Sequence, residues 1–197
     1  GPGKPGPFSV RADAEGPMRL ILIAWACLAL AACVAGPVGN REVPEPAKAV
    51  DLQRYLGRWY EFARYENAFE KDCEAVTADY ALRPDGKVSV RNSCHEATVR
   101  GPLKVADGVA VRAGDRLGAK FKVSFFGPAL LANYWVLDRA DDYGWAIVGE
   151  GSGRFLWLLT REPRPSQAVR EAMLARAERL GYDTHMLRYT QHLRTGP

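Results

Sequence analysis

The sequence predicts an all-β fold, an eight-stranded antiparallel up-and-down β-barrel with one C-terminal α-helix packed outside. Three observations carry that prediction. Eight β-patterned segments follow one another between Gly57 and Thr160. Only turns and loops join them, so no crossover helix is available to build a parallel sheet. A helical period appears only afterwards, between Ser166 and Gly181. Eight sequential antiparallel strands can close on themselves and remove both edges. The lumen is then just wide enough for side chains or one small ligand.

The N-terminal text is set aside first. Residues 1–17 are Gly/Pro-rich, contain no Met, and read as an upstream extension. Met18-Arg19 followed by the apolar run Leu20 to Ala32 reads as a signal peptide over 18–32. The run is too short for a membrane span, which needs roughly 20 apolar residues. Leu30-Ala31-Ala32-Cys33 resembles the bacterial lipobox. That resemblance implies acylation at Cys33 and a stable lipid anchor, because several acyl chains hold where one does not. By resemblance to enteric sorting rules, Val34 rather than Asp after that Cys favours the outer membrane over inner-membrane retention. Residues 33–48, with Pro37, Pro44 and Pro46, read as a tether, and 49–197 as the folded domain.

Within that domain Val50 to Tyr55 reads as a short helical lead-in, and the aromatic-rich Gly57 to Tyr65 as the first strand. A polar loop around Phe69 leads to the alternating strand Ala75 to Tyr80. Arg83-Pro84-Asp85-Gly86 is a turn with a mechanism, Pro fixing φ early and Gly supplying φ > 0 late, and Lys87 to Arg91 completes the hairpin. A fourth strand is expected near Ala97 to Ala106, with Asp107 to Gly118 as a connection. Lys120 to Phe125, Tyr134 to Asp138, Trp145 to Gly149 and Phe155 to Thr160 are the remaining four. Ser166 can cap a helix whose apolar face is Val169, Ala172, Met173, Ala177 and Leu180. Gly181 stops it, and Met186 to His192 reads as a last strand.

Charge and motif content argue against several function classes. The 27 Lys plus Arg and 23 Asp plus Glu are interspersed, where a nucleic-acid footprint needs a concentrated patch. The three histidines, His95, His185 and His192, have no metal-ligand spacing, and no cofactor motif is present. Gly149-Glu150-Gly151-Ser152-Gly153 fits a flexible hairpin turn better than a serine elbow. No catalytic residues are assigned. With Cys27 in the leader and Cys33 acylated, Cys73 and Cys94 remain, and two Cys in an oxidising compartment imply one disulfide.

Three motifs in order then resemble the lipocalin family, and the longer phrases Asp51 to Tyr60 and Lys122 to Pro128 resemble its bacterial outer-membrane lipoprotein members in particular. Gly57-Arg58-Trp59-Tyr60 matches the Gly-x-Trp motif. Asp138 to Tyr143 is a loosened form of the Thr-Asp-Tyr turn, and Leu158 to Arg161 resembles the motif that ends in Arg. Strand counting puts Trp59 and Arg161 at one end, so a guanidinium can cover the indole as a structural plug worth roughly 0.5–2 kcal/mol. Counting also puts Cys73 and Cys94 together at the open end, beside the apolar loop residues Phe69 and Ala129-Leu130-Leu131.

Period-two alternation assigns the lumen to Ala63, Tyr65, Val76, Ala78, Tyr80, Val88, Val90, Phe121, Val123 and Phe125, with Glu61 in phase with Trp59. The resemblance implies binding or transport of a fatty acid or lysophospholipid at the periplasmic face of the outer membrane, in envelope maintenance or stress, and no enzymatic activity. A barrel enzyme acting on a lipid or pigment is the alternative, and an anchored protein with a filled barrel a third reading.

Overall fold

The computed structural model describes residues 37–125, 127 and 131–193. Residues 1–36, with the expected leader and Cys33, lie outside the described residues, as do Ala129 and Leu130.

The chain enters as a strap along the barrel. Asn40 donates its side-chain amide to the Leu180 carbonyl at 2.9 Å. The Ala47 amide donates to Leu137 at 2.9 Å and the Val50 amide to Leu117 at 2.8 Å. The C-terminal part of the expected tether is therefore bound to the barrel wall. The Gly39 and Asn40 amides also donate there, both to the Gly153 carbonyl. A one-turn helix, α1 (Leu52–Tyr55), follows, capped by the Asp51 carboxylate on the Gln53 amide.

The strands are β1 (Gly57–Tyr65), β2 (Cys73–Leu82), β3 (Val88–Glu96), β4 (Leu103–Arg112), β5 (Lys120–Ser124), β6 (Ala132–Arg139), β7 (Trp145–Gly149), β8 (Leu156–Thr160) and β9 (Leu187–Tyr189). Each of β1 to β7 pairs antiparallel with the next, and β8 pairs with β1 to close the barrel. The first half of β1, Gly57 to Tyr60, pairs with β2. Its second half, Ala63 to Tyr65, pairs with β9. β9 therefore lies in the split where β1 and β2 diverge.

Two expectations are corrected. β4 lies at Leu103–Arg112 and not at Ala97 to Ala106, so Asp107 to Arg112 is strand and not connection. Gly108 reads as a loop residue in sequence. In the sheet it allows a close approach, because a Cβ there would meet the Ser124 carbonyl oxygen at 2.7 Å. The second correction concerns phase. A bulge between Glu61 and Ala63 inserts one residue, Phe62, against β8. Trp59 and Glu61 face inward, but Ala63 and Tyr65 face outward. Both belong to the outer apolar layer with Leu137, Ile147 and Leu158.

That outer layer receives the helix α2 (Gln167–Arg179). Ser166 caps it by accepting from the Val169 amide, and Gly181 at φ +92° ends it. Met173 and Ala177 are its fully buried contacts. Ala172 is exposed, and Leu174 packs in its place. Arg176 pairs with Asp138 of β6, fixing the helix along the wall.

Candidate ligand cavity

The base of the barrel is sealed. Trp59 is fully buried and donates its indole N–H to the Tyr55 carbonyl at 2.8 Å. The Arg161 guanidinium carbon stands 3.8 Å from the Trp59 ring centroid. Its Nη1 donates to the Arg58 carbonyl at 2.7 Å, and its Nη2 to those of Arg54 at 2.7 Å and Leu56 at 2.9 Å. One planar fork thus covers the indole and ties α1 to the end of β8. A lysine, a point charge with no plane to stack, could not do both.

Above this plug lies a cavity of about 810 Å³, open toward the loops that follow β1, β3, β5 and β7. Val76, Ala78, Tyr80, Val88, Val90, Phe121, Val123 and Phe125 all line it. Ala63 and Tyr65, expected beside them, lie outside the barrel for the reason given above. Tyr134, Trp157 and Leu159 also line it, and sequence alternation does not single them out. Their segments are apolar on both faces, because the outer face packs under α2, so alternation alone does not say which residues point in.

The floor carries a chain of phenols. Tyr134 OH lies 2.7 Å from Tyr55 OH and 3.0 Å from Tyr80 OH. Burial pushes the Tyr80 phenol up to about 12 and the other two well above their ordinary value, so all three are neutral hydroxyls at physiological pH. At the mouth, Phe69 is 67% exposed and stacks on Phe155, with ring centroids 5.6 Å apart. Leu131, also in the lining, is 52% exposed. Exposed apolar side chains around an opening suit the entry of an apolar molecule.

The Cys73–Cys94 disulfide is formed, with the Cα atoms 5.4 Å apart. It joins β2 to β3 on the cavity wall near the mouth. There β9 intrudes between β1 and β2, so β2 has no sheet pairing to β1 at that level. The covalent link to β3 secures the strand from its other side.

One wall is polar. Glu61 is 1% exposed. Its Oε1 accepts from Arg64 Nη1 at 2.7 Å and from the Thr190 hydroxyl. Glu70, in the loop after β1, accepts from the Trp157 indole N–H at 2.9 Å and from Asn67 at 2.6 Å. Glu61 and Glu70 both line the cavity. Burial pushes the Glu61 carboxyl up to about 8, and Glu70 adds to the effect while Arg64 and Thr190 oppose it.

Among the described residues no three His, Cys, Asp or Glu side chains stand close enough to hold a metal ion. His95 Nδ1 meets the Gly101 carbonyl at 2.8 Å, and His192 Nε2 meets the Glu61 carbonyl at 2.8 Å. Both rings are used by the backbone.

Residues 50–192 match the lipocalin-like domain family. The chain is 37% identical over 174 residues to Outer membrane lipoprotein Blc of Escherichia coli K12, covering 88% of this chain and 96% of that protein. It is 35% identical over 176 residues to Outer membrane lipoprotein Blc of Vibrio cholerae, covering 88% and 99%. Among solved structures it resembles insecticyanin from the tobacco hornworm Manduca sexta, with a TM-score of 0.64 over 80% of this chain and 89% of that one. At 20% identity that likeness speaks for the fold alone.

Proposed function

The chain belongs to the lipocalin-like family, and from that membership we propose that it takes up, stores or carries a single-chain lipid of the fatty acid or lysophospholipid class. Binding of a hydrophobic small molecule is the activity its family and its barrel support. Its kinship with proteins named outer membrane lipoproteins puts it, lipid-anchored, at the outer membrane. The finer assignments are proposals. Residues 18–32 are the signal peptide, and Cys33 carries the anchor. The protein works at the periplasmic face in envelope maintenance or stress, and it does no chemistry on its cargo.

The observation that carries this reading is the cavity itself. A space of about 810 Å³ falls within the range of roughly 300–1,000 Å³ typical of small-molecule pockets. It is closed below by Trp59 and Arg161, lined mainly by aliphatic and aromatic side chains, and open at a rim that presents Phe69 and Leu131. A chain laid on the phenol floor would be enclosed along most of its length.

The test is to purify the protein from its native membrane under mild conditions, weigh the intact complex by native mass spectrometry, and identify the released molecule. An intact single-chain lipid in a one-to-one complex is expected. An empty protein that takes up no added fatty acid or lysophospholipid would overturn the reading.

A further inference from the structure

We propose that the mouth of the barrel faces and touches the membrane that holds the anchor. Phe69 and Leu131 sit among the lipids there, so cargo passes between bilayer and lumen without crossing water. The inference rests on the reading of Cys33 as the acylated residue and adds an orientation to it.

It begins where the chain joins the barrel. The Gly39 and Asn40 amides donate to the Gly153 carbonyl at 3.0 and 3.2 Å, and the Gly39 carbonyl accepts from the Asp183 amide at 3.0 Å. Asn40 is 4% exposed, and its side chain holds the Leu180 carbonyl. A Cβ on Gly153 would lie 1.7 Å from the Asn40 carbonyl oxygen, so this approach needs glycine. Gly153 belongs to the loop after β7, one of the four around the opening. The chain is therefore fixed at the mouth. From there the strap runs toward the base, where the Val50 amide meets Leu117.

Chain length then limits the orientation. Cys33 precedes Gly39 by six residues, a reach of at most about 22 Å at roughly 3.6 Å per residue. β2 has ten residues. At the usual rise and tilt those cover about 25 Å of barrel axis, and the loops at both ends add to that. A barrel standing on its base would hold Gly39 farther from the membrane than the chain can span. A barrel with its mouth toward the membrane needs far less.

Surface character separates the mouth from the sides. The wall carries the surface ion pairs Arg58–Asp79 and Arg91–Asp107. The outer face of α2 exposes Arg170, Glu171, Glu178 and Arg179, and the base turns expose Arg83, Asp85, Asp141 and Asp142. Laying any of these against lipid would cost desolvation of charge. The mouth presents Phe69 and Leu131, both more than half exposed. The exposed charges on the loops after β1 and β3, Glu66, Lys71, Asp72 and Arg100, cancel. Contact there depends on apolar side chains and not on anionic lipid.

Phe69 also opens a path inward. Its ring stacks on Phe155, and Phe155 stacks on Trp157 with centroids 5.7 Å apart. Trp157 lines the lumen. The three rings make a continuous apolar run from rim to cavity.

The test maps amide hydrogen exchange in the acylated mature chain on vesicles of phosphatidylcholine alone. The reference is the mature Cys33→Ser chain in solution, exported by a non-lipoprotein signal peptide. On vesicles, exchange in 66–72 and 127–131 is expected to slow at least about threefold, while the base turns 83–86 and 113–118 stay unchanged. Phe69→Asp combined with Leu131→Asp should return both mouth loops to their solution rates while the acyl chains keep the protein on the vesicles. Slowing at the base turns or along α2 in place of the mouth, or no slowing anywhere, overturns the inference and leaves the carrier reading standing. So does slowing of the mouth loops that survives in the double variant, or that appears only when phosphatidylglycerol is added. A mature chain with no acyl group on Cys33 overturns the anchor and this orientation together. The wild-type map decides the question even if the double variant does not fold.

Discussion

At the scale of single residues, Glu61 makes the barrel's stability depend on pH in a direction opposite to the usual carboxylate. Its folded-state pKa is raised to about 8 from an ordinary 4.5, chiefly by burial. Between those values the folded protein holds a proton that the unfolded chain has lost. Stability is therefore fully present below the ordinary value and is lost as pH rises through the folded one. His192 works the other way, since burial lowers its pKa and stability rises as it deprotonates. That contribution is complete by about pH 7, near the ordinary imidazole value, so the clean window lies above it. Urea midpoints should fall from pH 7 to 8.5 and then level off, and Glu61→Gln should flatten the curve. A wild-type midpoint that does not fall across that window would show that the carboxyl is already ionised. Trp59 and Arg161 are the contrasting case. Their roles follow from residue type and strand count, because a guanidinium over an indole at a barrel end needs no knowledge of the wall between them.

At the scale of elements, the bulge in β1 decides which small residue faces the ligand. Ala63 is fully buried in the outer apolar layer that also contains Met173 and Ala177, whereas Ala78 of β2 lines the cavity. Overfilling a packed layer costs about 1–3 kcal/mol. Ala63→Leu should therefore lower unfolding stability by that amount and leave lipid affinity unchanged. Ala78→Leu projects into open space, so it should weaken lipid binding with a smaller loss of stability. Titration and urea unfolding of the two variants should give opposite patterns, and weakened lipid binding by Ala63→Leu would return that residue to the lumen. The same bulge marks where legibility ends. β3, β5 and the part of β2 from Val76 to Tyr80 alternate because one face is wet, and their lining residues are readable. β1 is alternating up to Glu61, but the extra residue is set by its register against β8, a pairing between distant segments. β4 is misread locally because Gly101-Pro102 and Asp107-Gly108 are both turn signals, whereas Gly108 is there for its close approach to β5. The strap over Asn40 to Val50 looks like a linker by composition, yet its amides bond to the barrel. In each case the deciding partner lies outside the segment being read.

At the scale of the whole molecule, the wall is closed by hydrogen bonding, plugged at one end by Trp59 and Arg161, and stapled near the other by Cys73–Cys94. α2 is pinned outside by Met173, Ala177 and the Arg176–Asp138 pair, away from the path of entry. The cavity exists before ligand arrives, so little of the binding free energy goes into reorganising the protein. Binding should then appear almost entirely as added stability of the folded state. Ligand at one hundred times its Kd should contribute about 2.7 kcal/mol. In a domain of this size each kcal/mol raises the midpoint by about 2–4 °C, so thermal unfolding with saturating lipid should shift upward by roughly 5–11 °C. The association should also carry a negative heat-capacity change as apolar surface leaves water. Calorimetry of the chain with and without lipid measures both. A lipid that binds tightly but leaves the midpoint in place would have to bind the unfolded chain equally well, which a pocket assembled from both halves of the sheet does not permit. That result would place the ligand on segments exposed in the folded and the unfolded chain alike, and not in the lumen.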